Sequence, residues 1–315
     1  MQAKNRAVLG QISDMDIRLL RVFRAVVECG GMAAAELELN IATSTISRHI
    51  KDLETRLGLI LCRRGRGGFA LTPEGERIHA ETLRLLAATD GFRASVDDIH
   101  RRMGGELHVA VFDKTASNPS ARIAQAVARF HDAAPEVQLN LHVATLNAIE
   151  RGVMDGQFQL GIIPEHRRSD SLVYDELFDE TMLLYCGAAH PLFSAERRSL
   201  GWADLQDLAF AGLGYHSPNM ELTHRQRLRR AATGFDQESV ATLILSGRFV
   251  GFLPDHYADA FVRTGQIRPL QPDLLRYHCG FSAITRRAPA PARVTQLLRE
   301  CLTAAHSDEP PRDRA

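Results

Sequence analysis

The stretch from residue 43 to residue 57 constrains this chain more than any other part of the sequence. Its apolar residues are spaced four, three and four apart, which predicts a helix with one buried face; they are Ile46, Ile50, Leu53 and Leu57. The remaining face carries hydroxyls and cations without a carboxylate, namely Thr43, Ser44, Ser47, Arg48 and Lys51. Such donors suit phosphate oxygens and base edges in the major groove of DNA. The segment is therefore predicted to be a DNA-recognition helix.

Charge is distributed unevenly along the chain. Residues 42–66 hold six Lys or Arg side chains and two carboxylates, although the 315-residue chain has a net charge of zero. A basic patch on an otherwise balanced protein indicates a local anionic partner rather than general attraction to polyanions. The partner that we expect is double-stranded DNA.

The segments around this helix predict a complete winged helix-turn-helix. Two short helices and a turn are expected before it, and Gly58 is expected to end it. Residues 61–71 are predicted to form a β-hairpin wing, with Arg64 and Arg66 at its tip. Helices and wing in this order predict a DNA-binding domain over 14–72.

A long linker helix and hinge are predicted over 73–103, with Thr72 as the N-cap. Apolar and Thr residues recur along it at alternating spacings of four and three for about three heptads, as in a coiled coil. We predict that this seam holds a dimer through Ile78, Leu85, Phe92, Val96 and Ile99. The alternative is that the helix packs on its own domain, but the length of the seam favours pairing with a second copy.

From residue 104 the sequence alternates between strands and helices. Three strands are predicted between residues 107 and 163, with helices between them, and this order predicts a parallel sheet with helices on both faces. A second set follows over 180–253 and includes one helix over 219–231. A late strand and a closing helix come next, and the polar segment 307–315 is predicted to be disordered.

The patterns of metal, catalytic and membrane proteins are not found in the sequence. The five cysteines lie far apart without a CxxC pair, as in reduced cytosolic proteins. The 13 histidines show no HExxH spacing, and GxSxG, P-loop and GxGxxG motifs are missing. No apolar stretch approaches the roughly 20 residues that cross a bilayer. We expect a cytoplasmic protein that is not an enzyme and has no metal, cofactor or membrane partner.

The chain resembles the LysR-type transcriptional regulators. The N-terminal similarity lies at Phe23, Ala34-Ala35, Ile46-Ser47-Arg48, Leu53-Glu54, Leu57-Gly58 and Leu71-Thr72. Weaker similarities follow at His190-Pro191-Leu192 and Ser246-Gly247-Arg248. The resemblance implies a multi-domain fold: a winged helix-turn-helix and linker helix, then a two-subdomain α/β domain like a type 2 periplasmic binding protein. It also implies an effector in the cleft, and dimers that pair into tetramers.

In this chain the resemblance implies an effector-binding domain over 104–306. One subdomain would comprise about 106–164 and 269–306, and the other about 165–268. Ligands collect at the carboxyl ends of parallel strands and at helix N-termini. That rule selects Asp113, Lys114, Thr115, Thr145, Asn147, Pro164, Tyr215, His216 and Ser217. The effector that we expect is a small polar or anionic metabolite.

The predicted DNA contacts come from the recognition helix and the wing. They are Thr43, Ser44, Thr45, Ser47, Arg48, Lys51, Arg64 and Arg66. One of the hydroxyls at 43–45 is expected to cap the helix instead.

Two alternatives to an effector-controlled regulator stay open. An enzyme could use the same two-lobed cleft, but the sequence shows no matched acid, base or nucleophile. A thiol-redox regulator of the same architecture would need two cysteines that pair, and Cys186 has no near neighbour in sequence. A sequence-specific DNA-binding regulator is therefore the first prediction.

Overall fold

The computed structural model describes residues 10–65, 68–99, 103–194, 200–215 and 217–307. The chain divides near Arg93 into two compact units. Within the described ranges, no helix is both long and apolar enough to cross a membrane.

In the described part of the chain, the N-terminal unit contains three helices, a hairpin and a long helix. In order these are α1 (Asp14–Glu28), α2 (Ala35–Leu39), α3 (Thr43–Leu57), β1 (Cys62–Gly65), β2 (Gly68–Leu71) and α4 (Pro73–Ile99). The hairpin is antiparallel, with Cys62 opposite Leu71. The predicted helix-turn-helix, wing and linker helix are confirmed.

Buried apolar side chains of α1 and α3 form the core of this unit. Leu19 and Phe23 belong to the same apolar cluster as Ile46, Ile50 and Leu53, and each is at most 1% exposed. The α3 residues form one helical stripe, as their spacing predicted. Burial of that stripe fixes which face of α3 is turned outward.

The starts of α3 and α4 differ in how they are capped. Ala42 is the N-cap of α3, and no side chain caps that end. The expectation that a hydroxyl at 43–45 caps the helix was wrong, because α3 begins at Thr43 and its N-cap lies one residue earlier. Thr72 caps α4 as predicted, since its hydroxyl accepts a hydrogen bond from the Gly75 N–H at 2.9 Å.

The C-terminal unit is built on one mixed sheet. Its strands are β3 (Gly105–Val111), β4 (Val137–Val143), β5 (Leu160–Pro164), β6 (Leu172–Gly187), β7 (Phe210–Leu213), β8 (Arg230–Gly234), β9 (Val250–Pro254), β10 (Ile267–Pro269) and β11 (Arg276–Arg286). Its helices are α5 (Ile123–Ala133), α6 (Leu146–Asp155), α7 (Pro191–Ser194), α8 (Pro218–Arg225), α9 (Gln237–Leu245), α10 (Asp255–Arg263) and α11 (Arg293–Ser307).

Two long strands divide this sheet into two subdomains. The strand order is β4-β3-β5-β11-β6-β9-β7-β8, with β10 beside β6. In the first subdomain β3 pairs in parallel with β4 and β5, and in the second β7 pairs in parallel with β8 and β9. Between them β6 and β11 pair antiparallel along most of their length, and α11 packs on α5. This is the predicted two-subdomain α/β fold with two crossover strands.

Some elements of the second subdomain were predicted wrongly. The single helix expected over 219–231 is α8 followed by the strand β8, because Arg227 adopts a left-handed φ of 55° that ends the helical path. The sequence also did not indicate β7, whose four residues are too short to show a period. The strand expected from residue 180 begins at Leu172.

Candidate DNA interface and effector cleft

The outward face of α3 carries an exposed polar stripe. Ser44, Arg48 and Lys51 are exposed, and spacings of four and three residues place them on one side of the helix. Thr45 and Ser47 are half-buried next to them. These predicted contact residues of α3 thus lie close together, and the most exposed among them are one hydroxyl and two cations.

Thr43 is less available than the sequence suggested. Its hydroxyl donates a short hydrogen bond to the Glu36 carboxylate of α2. The polar face of α3 has no carboxylate of its own among the predicted contacts. The Glu36 carboxylate of α2 nevertheless lies at the N-terminal end of that face. Thr43 is held between two helices rather than free to donate outward.

The wing is tied to the recognition helix by a carboxylate. Glu54 of α3 accepts hydrogen bonds from the backbone N–H groups of Leu61 and Cys62 at 2.8 and 3.2 Å. Arg64 lies in β1 opposite Phe69, and Arg66 lies outside the described residues. Arg63 on β1 is exposed, although the sequence did not predict it as a DNA contact.

The apolar seam of α4 changes character along the helix. Near its start Ile78 is half-buried and packs against the core of the N-terminal unit, and Leu85 is also half-buried. Further along, Phe92 is 71% exposed and Val96 is 36% exposed. The side chain of Ile99 lies outside the described residues. The first part of the seam thus packs on its own domain, while Phe92 and Val96 stay available to a second copy.

A small cavity of about 20 Å³ lies between the two subdomains of the C-terminal unit. Its apolar walls come from strand ends and crossover strands, namely Phe112, Pro164, Met182, Leu213, Pro218 and Phe281. One water molecule needs roughly 10–15 Å³ of such space, so the cavity holds a group of about that size. The resemblance implied an effector cleft between the two subdomains, where this cavity lies.

The polar lining of the cavity is concentrated on β6, β11 and the starts of α8 and α9. It comprises Glu180, Tyr215, Ser217, Asn219, Gln237, Tyr277 and Cys279. Ser217 caps α8 by accepting a hydrogen bond from the Met220 N–H at 3.3 Å. Asn219 Oδ1 accepts one from the Leu213 N–H at 3.2 Å. Two of the polar groups are thus already used to hold the walls in place.

Asp113 connects the two subdomains across the cleft. Its carboxylate, just after β3, accepts a hydrogen bond from the Gln237 N–H at the start of α9 at 2.9 Å. Burial raises the pKa of Asp113 to about 6, and the charges of Asp236 and Glu180 act in the same direction. The N–H of Gln237 and the charge of Lys114 oppose that rise.

Further contacts cross the cleft beside Asp113. Lys114 pairs with the Glu238 carboxylate of α9 and lies 4.7 Å from the ring centre of Tyr257. His256, at the start of α10, has its Nδ1 2.9 Å from the Ser117 Oγ and its Nε2 3.0 Å from the Glu180 Oε1. The loop after β3 is therefore joined to both α9 and α10.

Only part of the predicted effector set reaches the cavity. Pro164, Tyr215 and Ser217 line it. Asp113 and Lys114 face the second subdomain beside it, and the Thr115 hydroxyl is buried and donates to the Phe112 carbonyl at 3.3 Å. These loop residues support the cleft without lining the cavity itself.

Two predicted residues lie elsewhere, and one cannot be placed. Thr145 and Asn147 are exposed and do not line the cavity. The rule that selected them fails because β4 is the edge strand of the sheet, so its carboxyl end lies away from the crossover strands. His216 lies outside the described residues.

The sequence did not predict four of the polar residues that line the cavity. Glu180, Tyr277 and Cys279 lie on the crossover strands, and Gln237 opens α9. The sequence did contain one signal, because Glu180 is a carboxylate next to an apolar strand segment. In the structure Glu180 is only 4% exposed. Burial raises its pKa, while the hydrogen bond to His256 lowers it.

The cysteines do not form a disulfide. All five are thiols, and four of them, Cys62, Cys186, Cys279 and Cys301, are buried. Burial raises the pKa of the Cys186 and Cys279 thiols above their ordinary range. Because the thiolate is the reactive form, these two sites disfavour redox chemistry.

Both parts of the chain match models of one protein family. Residues 17–76 match "Bacterial regulatory helix-turn-helix protein, lysR family", and residues 100–307 match "LysR substrate binding domain". The chain belongs to the LysR family. This LysR regulator is therefore a DNA-binding transcriptional regulator whose second domain binds a small effector. Because the family consists of transcriptional regulators, the enzyme alternative is set aside.

Similar proteins agree with this assignment. The regulator is 39% identical over 297 residues to the "HTH-type transcriptional activator BauR" of Pseudomonas aeruginosa, covering 94% of this chain and 97% of that protein. It is 28% identical over 245 residues to the "Probable HTH-type transcriptional regulator LrrA" of Synechococcus elongatus, covering 76% and 81%.

Solved structures share the fold. CbnR, a LysR family transcriptional regulator, aligns with a TM-score of 0.64 and 20% identity over 93% of this chain and 99% of that one. The complex of full-length CbnR with its target DNA aligns with a TM-score of 0.61 and 21% identity, covering 92% and 99%. At this identity the likeness establishes the common architecture of the LysR regulator.

Proposed function

We propose that this regulator reads its operator through the exposed stripe of α3, which consists of Ser44, Arg48 and Lys51. The observation that carries the proposal is the segregation of α3 into a buried apolar stripe of Ile46, Ile50 and Leu53 and an exposed stripe with two cations. The guanidinium fork of Arg48 can bind the O6 and N7 of a guanine, whereas Lys51 and the wing suit phosphates. Thr43 has a lesser role in this proposal because Glu36 already accepts its hydroxyl.

The proposal is tested by selecting bound duplexes from a random DNA pool with the full chain. Arg48→Ala should weaken binding to the selected operator by about 1–3 kcal/mol and relax the preference at one base pair. Arg93→Ala is the matched control, because it removes the same charge from an exposed site about 30 Å along α4 from its start. If Arg48→Ala and Arg93→Ala bind the operator as the parent does, α3 does not read DNA in this way.

We also propose that the effector binds in the cavity between the subdomains. The lining of this cavity includes residues of both crossover strands. A movement of one subdomain relative to the other would therefore change the contacts across the cleft. The links from Asp113 to Gln237, from Lys114 to Glu238 and from Ser117 to His256 are the contacts that an effector would rearrange. An effector shifts the regulator between arrangements only by its difference in affinity for them.

A cavity-filling variant tests this location. Small metabolites that raise the melting temperature of the full chain should lose that effect in Cys279→Met, because the longer side chain occupies the cavity. Thr145→Met makes a comparable addition at an exposed site and should keep the effect. The opposite pattern, with loss in Thr145→Met alone, would move the effector site to the end of β4.

The direction of regulation can also be proposed. We infer that this chain activates transcription in the bacterial cytoplasm, which is supported by its 39% identical relative, a protein named as a transcriptional activator. Expression of a reporter gene controlled by the selected operator should increase when the regulator and its effector are both present. A decrease in reporter expression would instead identify a repressor.

A further inference from the structure

The cavity between the subdomains is bordered by hydrogen-bond acceptors that have no donor. The Asp113 Oδ1, the Gln237 Oε1 and the Tyr215 hydroxyl are buried and have no hydrogen-bond partner among the described residues. Gln237 and Tyr215 are only 4% and 7% exposed, and both line the cavity. Buried polar atoms in native proteins almost always have a partner. Two of these three atoms can only accept, so the partner that they require is a donor.

The charges nearest the cavity are mainly negative, although His256 lies against Glu180 with its Nε2 3.0 Å from the Glu180 Oε1. Glu180 lines it, and the Asp113 carboxylate lies close enough for the two charges to act on each other. Among the described lining residues there is no Lys or Arg. Lys114, the nearest cation on the loop after β3, is already paired with Glu238. A cation in the cavity would therefore be attracted, and an anion would be repelled.

The walls of the cavity also suit a cation. Phe112 lies with its ring centre 6.1 Å from that of Tyr215 and 6.2 Å from that of Phe281, so three aromatic rings meet at one side. Aromatic faces attract an ammonium group within about 6 Å. The cavity of about 20 Å³ accommodates a group of the size of one water molecule, which is also about the size of an ammonium group.

We infer that the effector enters this cavity with a primary amino group in its charged form. An ammonium group has three N–H donors, which match the Gln237 Oε1, the Tyr215 hydroxyl and the Glu180 carboxylate that line the cavity, and its charge offsets those of Glu180 and Asp113. The inference rests on the proposed effector site and adds the chemical class of the ligand, an amine-bearing small metabolite. The rest of that molecule lies outside the cavity, along the cleft.

Other occupants fit the site less well. A carboxylate would bring further acceptors and a charge of the same sign. A metal ion lacks a ligand set, since in the described ranges no three His, Cys, Asp or Glu side chains are grouped to hold one. A water molecule supplies two donors but no charge, and it is the outcome in which no amine binds.

The test uses the full chain and two probes of similar size. Ethylammonium chloride presents the amino group, and sodium propionate presents a carboxylate on the same short alkyl chain. Isothermal titration should show saturable binding of ethylammonium, with no binding of propionate or of sodium chloride. Saturable binding of propionate alone, or of neither probe, overturns the inference.

Two variants tie the binding to the proposed atoms. Tyr215→Phe removes an unpartnered hydroxyl and keeps the ring, so it should fold normally and bind ethylammonium about 2–10-fold more weakly. Glu180→Gln should weaken it by about tenfold or more, because a charge-assisted hydrogen bond is lost. Glu136→Gln makes the same replacement at an exposed position and should bind ethylammonium as the parent does. Equal affinity in Tyr215→Phe, Glu180→Gln and the parent overturns the inference.

The same preparations separate this inference from the proposed function. Operator affinity without any probe is measured for the parent, Tyr215→Phe and Arg48→Ala. If operator binding depends on Arg48 while the amine titrations fail, the regulator stands and the amine assignment is wrong. If propionate binds and Tyr215→Phe or Cys279→Met removes that binding, the cleft stands and its ligand is an anion.

Discussion

The carboxylate of Asp16 on α1 pairs with the guanidinium of Arg56 on α3, where the Arg56 Nη2 lies 2.9 Å from the Asp16 Oδ2. The same carboxylate accepts hydrogen bonds from the Ser13 N–H and hydroxyl at 2.8 and 2.6 Å. Asp16 is 1% exposed, and four donors converge on its buried carboxylate, because the Arg56 Nε–H also donates to it. One side chain thus both closes the first turn of α1 and fixes α3 against it.

Replacing Asp16 should destabilise the N-terminal unit in a pH-dependent way. The bonds to Arg56 and Ser13 hold the pKa of Asp16 well below its ordinary range. Its contribution is therefore fully present above the unfolded-state pKa of about 3.9 and is lost as the pH falls below that value toward the folded-state pKa. Urea unfolding should show Asp16→Asn less stable than the parent at neutral pH, with the gap narrowing in acid. Asp14→Asn, an exposed acid in the same turn, should show no such gap.

Gly75 is required at the start of α4 by the close approach of the wing. A Cβ built on Gly75 would lie 2.1 Å from the backbone carbonyl oxygen of Leu61, a contact that only backbone movement can relieve. Gly75→Ala should therefore destabilise the unit by about 1–3 kcal/mol, measured as a lower urea midpoint. Gly91→Ala on the same helix has open space around its Cβ and should be stabilising by about 0.5–1 kcal/mol. Equal stability of Gly75→Ala and the parent would show that this contact is loose.

Lys51 should contribute affinity without sequence preference. Its exposed ammonium group on α3 suits a phosphate, and each phosphate contact adds about 0.9 to the slope of log affinity against log salt. Lys51→Ala should weaken operator and random duplexes alike and reduce that slope by about 0.9, measured by fluorescence anisotropy over a salt series. Arg93→Ala should leave the slope as in the parent. A change confined to the operator would assign Lys51 to a base instead.

Phe92 should hold the dimer through α4. It is 71% exposed in the single chain, and an Asp placed there would be buried unpaired between two helices. Sedimentation of Phe92→Asp should show monomers where the parent forms dimers or larger assemblies. Ala80→Asp adds the same charge about 200° around the helix from Ile78 and should leave the assembly unchanged. An unchanged assembly in Phe92→Asp would remove α4 from the interface.

The N-terminal unit could be predicted from the sequence almost element by element. The bounds of α3, the end at Gly58 and the cap at Thr72 follow from residues within a few positions of each other. Gly58 has a φ of 66°, which a glycine reaches without steric cost. Helical spacing is a local property, so the spacing of Ile46, Ile50 and Leu53 predicts a buried face even when the helix that packs against it is not known.

The cavity between the subdomains was decided by the tertiary structure. Glu180 and Cys279 are nearly a hundred positions apart, and they become neighbours because β6 and β11 pair antiparallel with these two residues in register. Thr145 follows the same local rule as Thr115, yet only the order of strands shows that β4 is an edge and β3 is not. The sequence alone determined the elements of the N-terminal unit, the buried face of α3 and the resemblance to the family. Strand order and the pairing of the crossover strands decided which polar side chains meet in the cleft. Both depend on contacts between segments that are far apart in sequence, and the local periodicity of a sequence does not show such contacts.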